Sequence, residues 1–410
     1  MPIRPLRPRP LAALGVTAVL ALVLAGCVPN NVATSSQLKV AITDDGCAVS
    51  ATTAPSGNVA FNLSNTGTDV NEFEILAEDK LRIVGEKENV APGQTVSLVA
   101  QLEPGTYYTG CKFQQVGATV GQAKFIVTGS AIAVDETSKQ LSATAVSNYI
   151  AYVKSQVQVL IPNVAKFTAA YEAGDDATAR SLFAITRANY ERIEPTAEAF
   201  GDLDPKIDYR EVDAVAEGLD WTGFHRIEKD LWPPAADALN SDGTSALLDW
   251  TPSTTAERKV FGDGLVASVQ QLSDLVSAKS FSVTLADISN GAIGLLDEVA
   301  KSKITGEEDW WSHTDLTDFQ ANVQGAEVAF GNVKAIAASK GSAGTKLVTS
   351  ITKEFAALDA LLAQYGSINA GFTSYDQVTE AQRRALSDQV NALAEPLSQL
   401  THTVLGVSAE

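Results

Sequence analysis

The sequence contains little sulfur and little imidazole. In 410 residues there are three cysteines, three histidines and one methionine. No two cysteines form a CxxC pair, which excludes a cysteine-based zinc cluster. A type 1 copper centre needs two histidines and a cysteine close together, and no histidine lies near Cys47 or Cys111 in the sequence. An ordinary blue-copper centre is therefore not expected.

Basic residues are also in short supply. The chain has 30 Lys and Arg against 49 Asp and Glu, which gives a formal net charge of −19 at neutral pH. A surface with this excess of carboxylates repels phosphate backbones and attracts cations. Nucleic acid is therefore not an expected partner.

Long hydrophobic runs are confined to the first residues. Residues 1–26 carry three arginines before residue 10 and an apolar run over 11–24, a pattern typical of a secretory signal peptide. The run ends in Leu-Ala-Gly-Cys, which resembles a bacterial lipobox in which Cys27 is lipidated and becomes the new N-terminus. A plain signal peptide and a short membrane anchor are the alternatives. No later run of 18 apolar residues lacks charges, so we expect an exported lipoprotein on the extracytoplasmic face of the cell membrane, at the cell surface or in the periplasm.

The rest of the chain divides by its hydrophobic pattern. Residues 27–37 are small and polar, which predicts a flexible tether. Residues 38–129 show short alternating runs separated by Gly, Pro and Asn, which predict a small β-sandwich. Residues 130–410 have helical spacing and predict an all-α domain. The strongest strand patterns lie at Leu38–Ile42, Val59–Leu63, Phe73–Leu76, Thr95–Val99 and Ala123–Val127.

The helical spacing also predicts where individual helices begin and end. Leu141–Ala170 reads as a helix with a kink or break at Pro162. Asp175 or Asp176 can cap a helix that runs to about Phe200. Further helices are expected near Thr255–Ala278, Ser282–Lys301, Asp315–Ala337, Thr345–Tyr365 and Glu380–Leu405.

Three polar segments of the helical domain could carry chemistry. In the first, Glu191 and Glu194 are three residues apart and share a helix face with Arg187. In the second, His225 and Glu228 are three apart, so an imidazole nitrogen and a carboxylate can point at one ion. The alternatives are a solvated acidic face for the first segment and, for the second, a histidine that a glutamate merely orients. A catalytic zinc site of the HExxH type is not visible, because the second histidine is missing.

The third segment, 303–316, places two glutamates before a predicted helix. Ser312 or Thr314 can cap this helix, and Asp315 complements its N-terminal dipole. Glu307 and Glu308 are left without a structural explanation. Carboxylates together with one imidazole form a hard, oxygen-rich donor set that suits iron, manganese or calcium. Helical bundles commonly build such sites from facing helices.

These segments carry a resemblance to a known family. The runs GFHRIEKDLW (223–232), YERIEP (190–195) and ITGEEDWWSHTDLTDFQANVQGAE (304–327) resemble the imelysin-like HxxE domain of the EfeO family of bacterial iron-uptake components. In the front domain, DGC (45–47), NEFEIL (71–76), ENVAPG (88–93), GTY (105–107) and GC (110–111) resemble the cupredoxin-like domain of the long EfeO proteins. The resemblance covers essentially the whole chain after the leader.

The resemblance implies an extracytoplasmic iron-binding protein that delivers iron to a membrane permease, EfeU, and works with a haem peroxidase, EfeB. The residues it implies as ligands in the helical domain are His225, Glu228, Glu191, Glu194, Asp208, and either Glu307 or Glu308. An enzyme, either a metallopeptidase or a ferroxidase, is the alternative function. A surface lipoprotein without metal is a third.

The resemblance also implies a copper or iron site in the front domain, formed by Cys47, Cys111, and Glu72 or Glu74. Alternate residues of a strand face the same side, so both glutamates could reach one ion. Two cysteines in an exported domain most often form a disulfide, which is the competing interpretation of Cys47 and Cys111.

Overall fold

The computed structural model describes residues 36–115, 117–130 and 136–407, which belong to one compact unit. The leader, Cys27 and most of the expected tether lie outside the described residues. The strands are β1 (Ser36–Thr43), β2 (Gly46–Val49), β3 (Thr53–Pro55), β4 (Gly57–Asn65), β5 (Asn71–Leu76), β6 (Ile83–Val90), β7 (Thr95–Leu102), β8 (Gly105–Phe113), β9 (Val120–Thr128), β10 (Gly366–Ser367) and β11 (Gly371–Phe372). The α-helices are α1 (Glu136–Glu172), α2 (Asp176–Glu191), α3 (Leu203–Asp208), α4 (Glu211–Glu217), α5 (Gly223–Leu231), α6 (Thr255–Ser277), α7 (Leu285–Lys301), α8 (Asp315–Ser339), α9 (Ser342–Leu362), α10 (Glu380–Leu397) and α11 (Leu400–Leu405). Short 3-10 helices lie at Glu194–Phe200, Lys303–Thr305 and Tyr375–Gln377.

The front region is a β-sandwich of two sheets. One sheet has the strand order β2-β1-β4-β7, and the other has the order β3-β9-β8-β5-β6. Alternate apolar residues of both sheets, among them Phe61, Phe73 and Phe125, meet in a buried core. The predicted architecture, a β-sandwich followed by a helical region, is confirmed; the helical region also contains the short strand pair β10 and β11.

The first helix is longer than its sequence pattern suggests. α1 contains 37 residues and continues through Pro162, where a kink or break was expected. Proline removes one backbone hydrogen bond, but residues on both sides of it, including Val157 and Val164, are buried against other helices. Burial of the apolar face of α1 therefore offsets the local cost. Among the described residues, no helix is long and apolar enough to cross a bilayer.

The second helix is shorter than expected. The carboxylate of Asp175 accepts a hydrogen bond from the backbone N–H of Thr178, which confirms the predicted N-cap. The helix ends at Glu191, and a 3-10 helix that begins at Glu194 replaces the predicted continuation to about Phe200. Pro195 lies in the first turn of that segment, where its missing N–H costs least.

The β-sandwich packs directly on the helical region. The Asn290 side chain of α7 donates to the carbonyl of Val99 in β7 over 2.8 Å. Lys112 of β8 pairs with Glu217 of α4, also at 2.8 Å, and Lys87 of β6 pairs with Asp297 of α7. These contacts place the outer face of β5 and β6 opposite the helices.

Candidate metal centre

The HxxE helix begins at a glycine that nothing larger can replace without movement. Gly223 has φ +83°, and a Cβ at this position would lie 2.2 Å from the carbonyl oxygen of Ile207. Glycine alone tolerates both the left-handed backbone and this close approach. The start of α5 therefore packs against the end of α3, which brings His225 next to Asp208.

Three side chains from separate elements converge at this point. Donor atoms of Asp208, His225 and Glu308 lie within 4.8 Å of one another. His225 Nε2 lies 3.7 Å from Asp208 Oδ1 and 3.5 Å from Glu308 Oε1. His225 and Glu308 are buried and Asp208 is nearly so. We call these three residues the metal trio; two carboxylates and one imidazole are the donor set that iron and manganese accept.

Glu228 holds the imidazole in place. His225 Nδ1 and Glu228 Oε2 are hydrogen-bonded at 2.9 Å. The other oxygen of Glu228 accepts from the backbone N–H groups of Trp311 and Ser312, at 3.1 and 2.7 Å. A carboxylate bound to one ring nitrogen of a metal-binding histidine typically orients the other nitrogen. In this arrangement His225 Nε2 faces the carboxylates of Asp208 and Glu308.

A buried arginine lies at the centre of the site. The Arg187 guanidinium has no exposed side-chain surface, and its Nη1 lies 3.0 Å from His225 Nε2 and also bonds Asp208 Oδ1. Its Nη2 lies 2.6 Å from Glu191 Oε1 and 3.3 Å from Glu308 Oε1. Arginine can only donate, so His225 accepts at Nε2 and carries its proton on Nδ1, toward Glu228.

The pKa of His225 responds to opposing influences. Burial and the charge of Arg187 lower it, whereas hydrogen bonds to Glu228 and Glu308 raise it, with a balance at about 10. A pKa of about 10 alone would make the ring doubly protonated at neutral pH, but a doubly protonated ring cannot accept a hydrogen bond from Arg187. The contact between Arg187 Nη1 and His225 Nε2 therefore requires the neutral ring. Protonation of Nε2 and contact with Arg187 exclude each other.

The other predicted ligands lie around the trio rather than within it. Glu194 pairs with Lys303 at 2.7 Å and accepts from Asn322 at 2.6 Å. Glu191 shares Asn322, at 3.0 Å, and pairs with Arg187. Glu307 pairs with Arg210 at 2.6 Å and is one-quarter exposed. Of the two adjacent glutamates, Glu308 is therefore the one whose carboxylate lies beside Asp208 and His225.

Three further carboxylates, which the sequence analysis did not propose as ligands, are completely buried behind the trio. Asp309, Asp315 and Asp318 each have one oxygen without a hydrogen-bond partner. The Thr314 hydroxyl, expected to cap α8, bonds Asp309 instead and caps nothing. Asp309 could also form a metal-binding group with His225 and Glu228. The only sequence signal for it was its place beside Glu307 and Glu308.

Burial and neighbouring charges pull the acidic groups in opposite directions. Burial raises the pKa of Asp208 to about 8 despite the charge of Arg187. Burial also raises the pKa of Asp309, to about 6. Glu308 is the exception: burial opposes its ionisation, but the positive charges of Lys303 and Arg210 hold its pKa well below the usual range. The site has more carboxylate than its own cations neutralise, which favours binding of an added cation.

The expected front-domain site is not formed as proposed. Cys47 of β2 and Cys111 of β8 are joined in a disulfide that links the two sheets. Cys111 is the cross-strand partner of Phe73, and both face the core. Glu72 and Glu74 flank Phe73 in β5 and therefore face the opposite side. One ion cannot contact both the sulfurs and these carboxylates.

The two glutamates instead join others at the interface with the helices. Carboxylate oxygens of Glu72, Glu74 and Glu86 lie within 4.8 Å of one another. Glu86 also shares a hydrogen bond with Glu198, which lies in the helical region. Burial raises the pKa of Glu198 to about 8, and burial and the charge of Glu74 raise the pKa of Glu72. We call Glu72, Glu74, Glu86 and Glu198 the interface cluster. No sequence motif indicated that Glu86 would belong to it.

A cleft of about 490 Å³ connects the two groups. Its lining includes all four residues of the interface cluster together with Asp208 and Glu308 of the metal trio. A larger cavity of about 590 Å³ lies against the same interface but is lined by none of the trio. A cation in the first cleft therefore faces carboxylates along its length.

Comparison with known proteins assigns the chain to a family. The imelysin family matches residues 145–400, and the cupredoxin-like domain family matches residues 16–127. "Iron uptake system component EfeO" of Escherichia coli O1:K1 is 38% identical over 92% of this chain and 93% of its own. The chain belongs to the EfeO family. EfeO proteins of E. coli K12 and Shigella flexneri match with the same identity and coverage.

A crystal structure from Parabacteroides distasonis is more distant from this EfeO-family chain. It is 18% identical with a TM-score of 0.38, and the match covers 67% of this chain and 95% of that one. It adds nothing to the assignment, which stands on the sequence comparisons.

Proposed function

We propose that this protein binds iron as the extracytoplasmic, lipid-anchored component of an iron-uptake system and delivers it to a membrane permease of the EfeU type. A haem peroxidase of the EfeB type would be the second partner. The proposal draws on the printed function of the EfeO relatives, the lipobox-like leader and the acidic composition. Iron is the cargo in this function.

One observation carries the proposal: the convergence of Asp208, His225 and Glu308 in a buried position that opens into an acidic cleft. The imidazole presents Nε2 to the two carboxylates because Glu228 fixes the ring from behind. This leaves room for additional ligands from water or from a chelated form of iron. A site that must release its cargo benefits from such incomplete protein coordination.

The interface cluster is the second candidate position for a cation. Its members come from both regions, and the cleft brings them to the same space as the metal trio. We propose that iron, or copper, binds there through carboxylates rather than through Cys47 and Cys111. An ion held there could pass to the trio without leaving the cleft.

The test is metal titration of the purified protein with anaerobic Fe(II) and with Mn(II). His225→Gln should abolish binding to the helical site, because no other imidazole of the described residues reaches the trio. His402→Gln is the matched control, since His402 lies in α11 and lines the other cavity. Unchanged affinity in His225→Gln would refute the site.

Turnover separates this function from the enzymatic alternatives. A binding component takes up one equivalent of Fe(II) per site and stops. Oxidation of many equivalents of Fe(II), or steady cleavage of a peptide, would instead indicate a ferroxidase or a metallopeptidase. His225→Gln should abolish any such activity if it arises at the trio.

A further inference from the structure

Arg187 contacts the same three atoms that could hold a metal. Its Nη1 bonds Asp208 Oδ1 and lies 3.0 Å from His225 Nε2, and its Nη2 lies 3.3 Å from Glu308 Oε1. A guanidinium and a metal cation cannot occupy this space together. We infer that Arg187 is a built-in competitor cation, which must withdraw from the metal trio when metal binds. This inference rests on the proposed metal site.

The structure also provides a place for the withdrawn guanidinium. Asp318 and Asp309 are completely buried and do not line the cleft. Arg187 Nε lies 3.4 Å from Asp318 Oδ2 and 3.5 Å from Asp309 Oδ1. Asp318 Oδ1 and Asp309 Oδ1 have no hydrogen-bond partner. These are acceptors in reach of a guanidinium that gives up its bonds to the trio. Arg187 can thus exchange one set of oxygens for another without being left unpaired.

The exchange has two consequences. Without metal, Arg187 neutralises the trio and keeps its buried carboxylates from repelling one another. When metal binds, part of the binding free energy is used to move Arg187 inward, and the apparent affinity for the metal is lower by that amount. A stronger inward pull on Arg187 therefore means tighter metal binding.

The test uses two substitutions with opposite expected effects. In Mn(II) titrations of the whole protein, Arg187→Met should bind about tenfold tighter or more, because the competitor is gone. Asp318→Asn should bind about fivefold weaker, because Arg187 loses its inward partner and stays on the trio. In the Arg187→Met background, Asp318→Asn should have little further effect. This loss of effect separates the exchange from a simple reduction of negative charge.

Arg226→Met is the matched control. Arg226 is also a buried arginine, but it pairs with Asp230 at 2.9 Å and packs on the ring of Phe261. Its substitution should lower stability and leave Mn(II) affinity unchanged. If Arg187→Met does not fold, Arg187→Lys replaces it, with tighter binding than wild type expected because an ammonium cannot bridge the trio as a fork does.

The outcomes are distinct. Equal or weaker Mn(II) binding by a folded Arg187→Met protein, with a normal control, would overturn the inference and leave the metal site standing; Arg187 would then support the trio. An equal effect of Asp318→Asn in both backgrounds would overturn it as well. Absence of binding in wild type and Arg187→Met alike would reject the proposed function itself. Binding by Arg187→Met alone would support the inference most directly.

Discussion

Two adjacent glutamates in this protein have opposite surroundings. Glu308 is buried at the metal trio, whereas Glu307 points outward to Arg210. Glu308→Gln removes a carboxylate ligand and should weaken Mn(II) binding by about tenfold or more, ~1.4 kcal/mol. Glu307→Gln removes the same charge one residue away and should change affinity less than about twofold, since the Glu307 carboxylate pairs with Arg210 and is not one of the three ligands of the metal trio. Isothermal titration of the two variants makes the comparison, and equal losses would contradict the assignment.

The sequence identifies some of these residues and misses others for a definite reason. His225 and Glu228 are three residues apart on one short helix, so the local spacing is informative. Glu307 and Glu308 lie in a loop without a regular backbone repeat, so the spacing of residues does not predict which way either side chain points. Arg187 meets Asp318 across 131 positions, a contact that only tertiary packing creates. The sequence motif therefore locates the site but does not reveal that the Arg187 guanidinium occupies it.

At the scale of elements, the position of α5 depends on Gly223. Gly223→Ala introduces a left-handed alanine and a clash with the carbonyl of Ile207, and should cost about 3 kcal/mol or more. Gly218→Ala is the matched control, because Gly218 also has a positive φ but has open space around it, and should cost about 1 kcal/mol. Chemical denaturation measures both. Gly223→Ala should also weaken Mn(II) binding, since α5 and α3 separate; a normal affinity would show that the trio tolerates this shift.

The disulfide between β2 and β8 gives a second prediction for elements. Cys47 and Cys111 are 64 positions apart, and the loop-closure estimate for this length is a loss of about 4 kcal/mol in Cys47→Ser/Cys111→Ser. Because the sulfurs face the core and the glutamates of β5 face the cleft, metal stoichiometry should not change. Denaturation and metal titration of the same sample test both points. Loss of one bound metal would restore the cysteines as ligands.

The elements also mark the limits of sequence reasoning. Alternation in the front region predicted β1, β4, β5, β7 and β9 because alternate residues of each pack in the core, but the sequence analysis did not locate β2, β3, β6 and β8. Pro162 is a strong local signal, yet α1 continues through it because its apolar face is buried on several helices. The end of α2 was misjudged because the apolar spacing continues past Glu191 although the backbone tightens into a 3-10 helix before Pro195. The backbone conformation that the local sequence favours is not adopted where burial of apolar side chains favours another one.

At the scale of the whole molecule, acidic groups are concentrated where the two regions meet. Glu86 lies directly opposite Glu74 in neighbouring strands and also meets Glu198 of the helical region. Like charges placed this way destabilise a sheet and an interface. A fold that keeps them together must hold protons or cations there. The interface itself is therefore expected to respond to pH and to metal.

This leads to a prediction for the pH dependence of stability. The folded-state pKa values of Asp208, Glu198 and Glu298 are raised to about 8, mainly by burial. Between their unfolded pKa values and about pH 8, the folded protein binds more protons than the unfolded chain, so the free energy of unfolding falls as pH rises through this window. Each group can contribute up to about 1.4 kcal/mol per pH unit. Without metal, the melting temperature should therefore decrease from about pH 5 to pH 8.

Added Mn(II) should reverse this trend, because a bound cation replaces the protons and stabilises the ionised carboxylates. Glu198→Gln should make the decrease shallower, since it removes one of the titrating groups. The matched control is Glu380→Gln on α10, where the side chain is 89% exposed and the slope should not change. A melting temperature that rises with pH in metal-free protein would show that these carboxylates are ionised in the fold. The interface would then be stabilised by its lysines, Lys87 and Lys112, and the cleft would need no added cation.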